Sequence, residues 1–222
     1  ITIGDTLCVP DTLPDDFLYF SPYPGLLSIL DSIPKILIFS YPVQAFAAYE
    51  YGKLVRWGPT SMGKRKTPTP VGLYFTNWKA KETVSTVNDE WILPWAFNID
   101  NFNGISIHQF ELPGYPASHS CARLLEADAE WIYYWADQWI LTRDGGKIRA
   151  YGTPVIIYGK YNYKSRPPWK LLNENKDADK IKEEELNDII KQYLPVINQR
   201  KYQRDSLLVS MKADTVRPGS GR

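Results

Sequence analysis

His108, His119 and Cys121 fall within fourteen residues of a chain that has 222 residues and only two His and two Cys in all. A thiol with an imidazole in reach is a nucleophile–base pair, able to attack a carbonyl and pass on a proton. Cys121 follows a loop punctuated by Pro113, Gly114 and Pro116, and stands just before a helix predicted over 124–140. A thiol at a helix N-terminus meets the positive end of the backbone dipole, which predicts a depressed pKa. The free N–H groups at such a terminus would also hold an oxyanion. His108, on a predicted strand at 105–110, would be the base, and His119 would orient the loop beside the thiol. Metal binding is the rival use of these residue types, but only Glu111 adds a nearby carboxylate to one Cys and two His. The plain alternative is that His119 and Cys121 are packing residues, since free Cys is often buried as a small hydrophobe.

The remaining composition narrows the classes. Hydrophobic residues make up 44% and charged residues 23%, as in a folded globular protein and unlike a disordered one. A net charge of +1 argues against a protein whose main task is neutralising nucleic-acid phosphates, so no nucleic-acid partner is expected. Two cysteines cannot build a disulfide scaffold; Cys8 is read as an incidental thiol, not paired with Cys121. No apolar run approaches the roughly 18 residues of a membrane-spanning helix. The sequence starts at Ile1 without an initiator Met, as a processed exported protein with its signal peptide removed would, and as any trimmed chain would.

Three segments emerge. Residues 1–34 carry five Asp and no Lys or Arg and are broken by five prolines, an irregular acidic arm with one short helix near 26–32. Residues 35–159 read mainly as strands: 36–40, a hairpin of 45–51 and 53–57 around Gly52, then 73–76, 105–110 and 153–158. Within them, 77–104 lacks a regular pattern and reads as a lid or binding loop, with Trp91, Trp95 and Phe102 as lid candidates. Trp131, Trp135 and Trp139 repeat every four residues along the predicted helix and read as core rather than as a sugar-binding stripe. Residues 160–222 form an extension with an amphipathic helix over 177–193, and 211–222 read as a frayed basic tail.

The run Ser118-His-Ser-Cys-Ala-Arg-Leu124 resembles the signature of the L,D-transpeptidase (YkuD-type) family, in which Ser or Thr, His, Gly and Cys precede an apolar residue and Arg or Asn. Ile105-Ser-Ile-His108 resembles the family's first His. Gly52–Arg56, Gly63-Lys with Thr67–Gly72, Asp128–Trp131 and Gly152–Val155 follow in the family's order. Ser120 stands where the family has Gly, and nine residues between His108 and Ser118 make a shorter loop than is usual there.

The resemblance implies a mostly β (α+β) fold: a YkuD-like β-sandwich catalytic domain with a helix after the nucleophile, flanked by the arm and the extension. It implies that Cys121 is the nucleophile, His108 the general base and acid, and His119 the third catalytic residue. Ser118, Ser120, Arg123, Trp91 and Trp95 would contact substrate. The implied activity is transfer of a peptidoglycan stem tetrapeptide, with loss of D-Ala, onto an amine of a second stem to give a 3–3 cross-link. Transfer to water, as an L,D-carboxypeptidase, and a catalytically impaired cell-wall-binding module are the alternatives. Peptidoglycan stem peptides would be the partner, carbapenems covalent inhibitors, and the periplasm or cell wall the location, with no cofactor or metal required.

Overall fold

The computed structural model describes residues 17–85 and 87–216, together with Gly4, Thr6, Val9, Asp11 and Thr12; side chains of 214–216 lie outside that description. Cys8 and residues 217–222, on which two of the expectations above fall, lie outside it as well.

Eleven strands and two α-helices are built from the described residues. β1 (Ile36–Ser40) starts the first sheet, and the β2 (Ala45–Glu50) to β3 (Lys53–Pro59) hairpin turns at Tyr51 and Gly52, both at positive φ (46° and 75°). Both angles lie in the left-handed region that two-residue hairpin turns demand. β4 (Gly72–Phe75) and β11 (Pro154–Tyr158) complete a five-stranded sheet in the order β3-β2-β1-β11-β4, with β1 and β11 parallel. β5 (Lys79–Val84), β6 (Ile92–Asp100), β7 (Ile105–Gln109) and β8 (Ala122–Leu124) form the second sheet in that order. α1 (Glu126–Trp135) follows, then a two-stranded ribbon of β9 (Ile140–Leu141) and β10 (Ile148–Ala150), and finally α2 (Glu183–Val216).

Every residue of β1 is buried, because both faces of the first sheet are covered. Leu37 and Phe39 point into one core with Phe46, Phe97, Ile107, Leu124 and Ile132, between the two sheets and α1. Ile36 and Ile38 point the other way, toward Tyr23, Leu27 and Leu30 of the arm and Leu186, Ile190 and Ile197 of α2. Side chains alternate across a strand, so one apolar run serves two cores. The described part of the arm is therefore a covering layer. Tyr23 donates its hydroxyl to the Ala45 carbonyl (2.8 Å), and the arm has the expected short turn of helix at Ser28–Leu30.

Four local expectations are corrected. Residues 77–104 are not a loop but largely the β5–β6 hairpin; Pro94 and the positive φ of Trp95 (53°) break the alternation that would have revealed it. The helix expected over 124–140 starts at Glu126, because 122–124 pair with β7 and exchange reciprocal 3.1 Å backbone bonds between Arg123 and Ser61. It stops at Trp135, before Trp139. There the Asp137 carbonyl accepts the Thr76 hydroxyl (2.5 Å) and the Thr153 N–H (3.2 Å), which draws the chain out of the helix. α2 runs through Pro195 to Val216 rather than ending near 193, with 211–216 helical. Beyond the proline it is anchored by Ile197 in the core and by Arg204, which donates to the carbonyls of Gln138 (2.9 Å) and Tyr151 (2.8 Å).

The Trp131–Trp135 pair packs against the inter-sheet core with its rings stacked at 4.9 Å. Arg56 lies over Trp131 (5.2 Å) and donates its Nε to Asp128 (2.8 Å) at the start of α1. Gly58 makes room for this pair, since a Cβ there would sit 2.4 Å from Asp128 Oδ2 and 2.8 Å from the Phe46 ring. We expect Gly58→Ala to displace Asp128 from Arg56 and to destabilise the protein by about 1–3 kcal/mol. The check is the midpoint of urea unfolding; an unchanged midpoint would show that the close approach is not a constraint.

Candidate active site

β7 and β8 lie side by side and parallel, with Ile107 opposite Ala122 and His108 opposite Arg123. Continuing that register one residue back sets Cys121 beside Ser106. Ile105, Ile107, Ala122 and Leu124 face the core, while Ser106, His108, Cys121 and Arg123 share the other face. That face forms the floor of a cleft of about 200 Å³, which Trp91, His119 and Phe110 also line.

Cys121 is a free thiol, directed at the Gly104 carbonyl at a long 3.9 Å. It precedes a strand and not a helix, so the dipole argument for a depressed pKa fails. Burial instead pushes the thiol above its ordinary value, opposed by a backbone hydrogen bond at Ser106 and the charge of Arg123. His108 is 3% exposed, and its Nδ1 donates to the Gln109 carbonyl (2.8 Å). That bond fixes the tautomer and leaves Nε2 as a lone-pair base. Burial lowers the His108 pKa to about 4, against the Gln109 bond and with help from Arg123. The resting pair at neutral pH is therefore thiol and neutral imidazole.

His119 is oriented by Lys64, whose Nζ lies 2.7 Å from His119 Nε2. An ammonium has no lone pair, so Nε2 accepts and Nδ1 carries the proton; Nδ1 is buried with no partner among the described residues. The Trp91 ring stands 5.4 Å from the His119 ring. Burial, then the charges of Lys64 and Arg123, push the His119 pKa down.

The remaining expected residues separate. Ser118 is buried, and its hydroxyl donates to the Cys121 carbonyl (2.5 Å), closing the loop before Cys121. Arg123 lines the cleft half-buried, 4.4 Å above the Phe110 ring. Ser120 has φ of 83°, an angle suited to glycine, and its hydroxyl reaches the Thr67 carbonyl at 3.4 Å. Trp91 lines the cleft from the tip of the β5–β6 hairpin. Trp95 does not. It packs against Tyr133 and Tyr134 of α1, at 5.4 and 5.9 Å between ring centroids, because its positive φ turns it toward the helix; its expected substrate contact is thus corrected. Phe102, at a strand turn, is 96% exposed and outside the cleft.

Ser106, Gly104 and Lys64 also belong to the site, although sequence reasoning did not place them there. Ser106 stands two residues before His108 on one strand face, an i, i+2 relation readable in principle; Lys64 was visible only as part of a loop motif. The short loop between His108 and Ser118 is braced by the extension, where Trp169 Nε1 donates to the Gly114 carbonyl (3.0 Å). Ser61 secures the same loop through the Tyr115 carbonyl (2.7 Å). Among the described residues no group of three or more His, Cys, Asp and Glu is placed to hold a metal ion.

The family model for the YkuD L,D-transpeptidase catalytic domain matches residues 34–157, more than half of the chain and all of both sheets but Tyr158 at the end of β11. The chain belongs to the YkuD L,D-transpeptidase family. A search of curated proteins finds no match. Solved YkuD-type structures that resemble it include an L,D-transpeptidase (Yku) from Stackebrandtia nassauensis, 20% identical with a TM-score of 0.46 over 58% of this chain and 57% of that one. An L,D-transpeptidase from Mycobacterium tuberculosis H37Rv is 25% identical with a TM-score of 0.46, over 57% and 58% of the two chains. L,D-transpeptidase 3 from Mycobacterium tuberculosis, in complex with a faropenem-derived adduct, is 24% identical with a TM-score of 0.46, over 57% and 60%. The chain thus spans less than two thirds of the length of these structures.

Two outcomes test the site as built. Ser120→Gly relieves a left-handed serine and is expected to stabilise the protein by about 1 kcal/mol. A lower thermal midpoint would overturn that account. Iodoacetamide labelling of Cys121 followed against pH should give a midpoint above the roughly 8.5 of an ordinary thiol. A midpoint below that value would mean that the buried-thiol picture is wrong.

Proposed function

We propose that this protein is a cysteine-dependent L,D-transpeptidase acting on peptidoglycan stem peptides outside the cytoplasm. The observation that carries this reading is the parallel β7–β8 register, which sets the Cys121 thiol on the same strand face as a buried His108 whose Nε2 is free to take a proton. His108 Nε2 accepts the thiol proton as Cys121 Sγ bonds to the carbonyl carbon of the L-centred third residue of a tetrapeptide stem. The carbonyl oxygen becomes an oxyanion. The Ser120 and Cys121 backbone N–H groups, which are not spent on backbone bonds among the described residues, stabilise it.

The bond to D-Ala then breaks as its nitrogen takes the proton from His108, leaving a thioester on Cys121. An amine of a second stem attacks the thioester, gives its proton to His108, and forms the 3–3 peptide bond; the thiolate recovers the proton. The buried, neutral starting pair suits this cycle, because the low dielectric that disfavours separated charge at rest also strengthens each hydrogen bond made to the oxyanion. Arg123 and Lys64 supply positive charge at the cleft, where a substrate carboxylate would lie. His119, held by Lys64, positions the loop that carries the nucleophile. Trp91 closes one wall.

Incubation with a carbapenem followed by intact-mass measurement tests the nucleophile. We expect one covalent adduct, absent in Cys121→Ala, and a loss of at least about a hundredfold in acylation rate for His108→Ala. Incubation with a disaccharide–tetrapeptide should release D-Ala and yield a cross-linked dimer. Absence of an adduct on the unaltered protein would overturn the reading.

A further inference from the structure

A second cavity, of about 740 Å³, shares no lining residue with the catalytic cleft. Tyr41 and Tyr161 are buried at its wall, and the half-exposed Tyr163 sets its ring edge against Tyr161 at 4.9 Å between centroids. Arg65, Lys160 and Lys164 line it as well, and among the described residues no carboxylate does. Among the described residues these three cations form no ion pair. A concave surface with one sign of uncompensated charge concentrates anions, and a guanidinium fork fits a carboxylate. Tyrosine rings offer apolar faces with polar tips, matching a ring that is apolar on its faces and hydroxylated at its edge. A ligand that satisfies both halves must carry sugar rings and carboxylates together.

The cavity is also tied to the catalytic loop. The Tyr41 hydroxyl bonds the Gly63 carbonyl, and the next residue, Lys64, holds His119. Thr67 accepts the Ser120 hydroxyl, while its neighbour Pro68 lines the second cavity.

We propose that this cavity is a subsite for the glycopeptide itself: it seats a sugar ring against Tyr161 and Tyr163 and a carboxylate between Arg65, Lys160 and Lys164. The inference rests on the peptidoglycan reading above and adds the part of the polymer that the enzyme grips away from the scissile bond. Its test is binding to the full chain carrying Cys121→Ala, measured calorimetrically with three probes: a disaccharide–tetrapeptide, the free tetrapeptide, and neutral chitotetraose. We expect the disaccharide–tetrapeptide to bind about tenfold more tightly than the tetrapeptide, and chitotetraose to bind more weakly than either. Tyr163→Ala should remove most of the tenfold advantage, whereas the double change Lys160→Ala with Lys164→Ala should weaken binding of both peptide probes, since their carboxylates all lie on the peptide. With Tyr163→Ala, affinity for the free tetrapeptide should stay the same, which reports an intact fold.

Equal affinity for the two peptide probes overturns the subsite, as does a sugar advantage that survives Tyr163→Ala or peptide binding that the double lysine change leaves untouched. Chitotetraose binding as tightly as the glycopeptide also overturns it, since the cations would then have no role. Failure of carbapenem acylation with the sugar advantage intact would count against the Cys121 reading alone.

Discussion

The three-residue strand Ala122–Leu124 is the constraint on which the site depends. Its parallel register with Ile105–Gln109 decides which side chains enter the core and which enter the cleft. Because side chains alternate, a slip of one residue would send Cys121 and Arg123 inward and expose Ala122 and Leu124. Burial of those two apolar residues against Ile107 and Ile132 therefore holds the thiol at the surface of the sheet and beside the histidine strand. So short a strand cannot hold itself. The reciprocal bond between Arg123 and Ser61 secures its other edge, and Ser118 and Lys64 fasten the turn that leads into it.

Burial then sets the chemistry. The same desolvation that raises the thiol pKa lowers that of His108, so the pair rests neutral. Arg123 acts on both partners in one direction, favouring the anion on sulfur and the neutral imidazole. Strain is stored next door at Ser120, whose left-handed backbone suits glycine.

The segments outside the matched family region are part of the same physical object. The first sheet would expose Ile36, Ile38, Ala47 and Ile156 without the arm and α2, which cover its back. The stretch between β11 and α2 reaches the catalytic loop through Trp169 and lines the second cavity with Tyr161 and Tyr163. A shortened loop between His108 and Ser118 is thus compensated by an outside brace.

Much of this was legible in the chain itself. Apolar runs and alternation located β1, β2, β3, β4, β7 and β11, and turn residues located the β2–β3 hairpin, because those signals are local. Scarcity of His and Cys pointed to one stretch, and the motif order pointed to the family. Three things were decided only by tertiary contacts. The Cys121 segment reads as the start of a helix, yet pairing with β7 and Ser61 makes it a strand. Trp95 and Trp91 are equivalent in sequence, yet one packs on α1 and the other faces the thiol. The thiol pKa, expected to fall, is raised. Each depends on what surrounds a residue from distant parts of the chain, and local sequence carries no record of burial. The sequence determined which groups could react; folding decided their neighbours, their solvent and their protons.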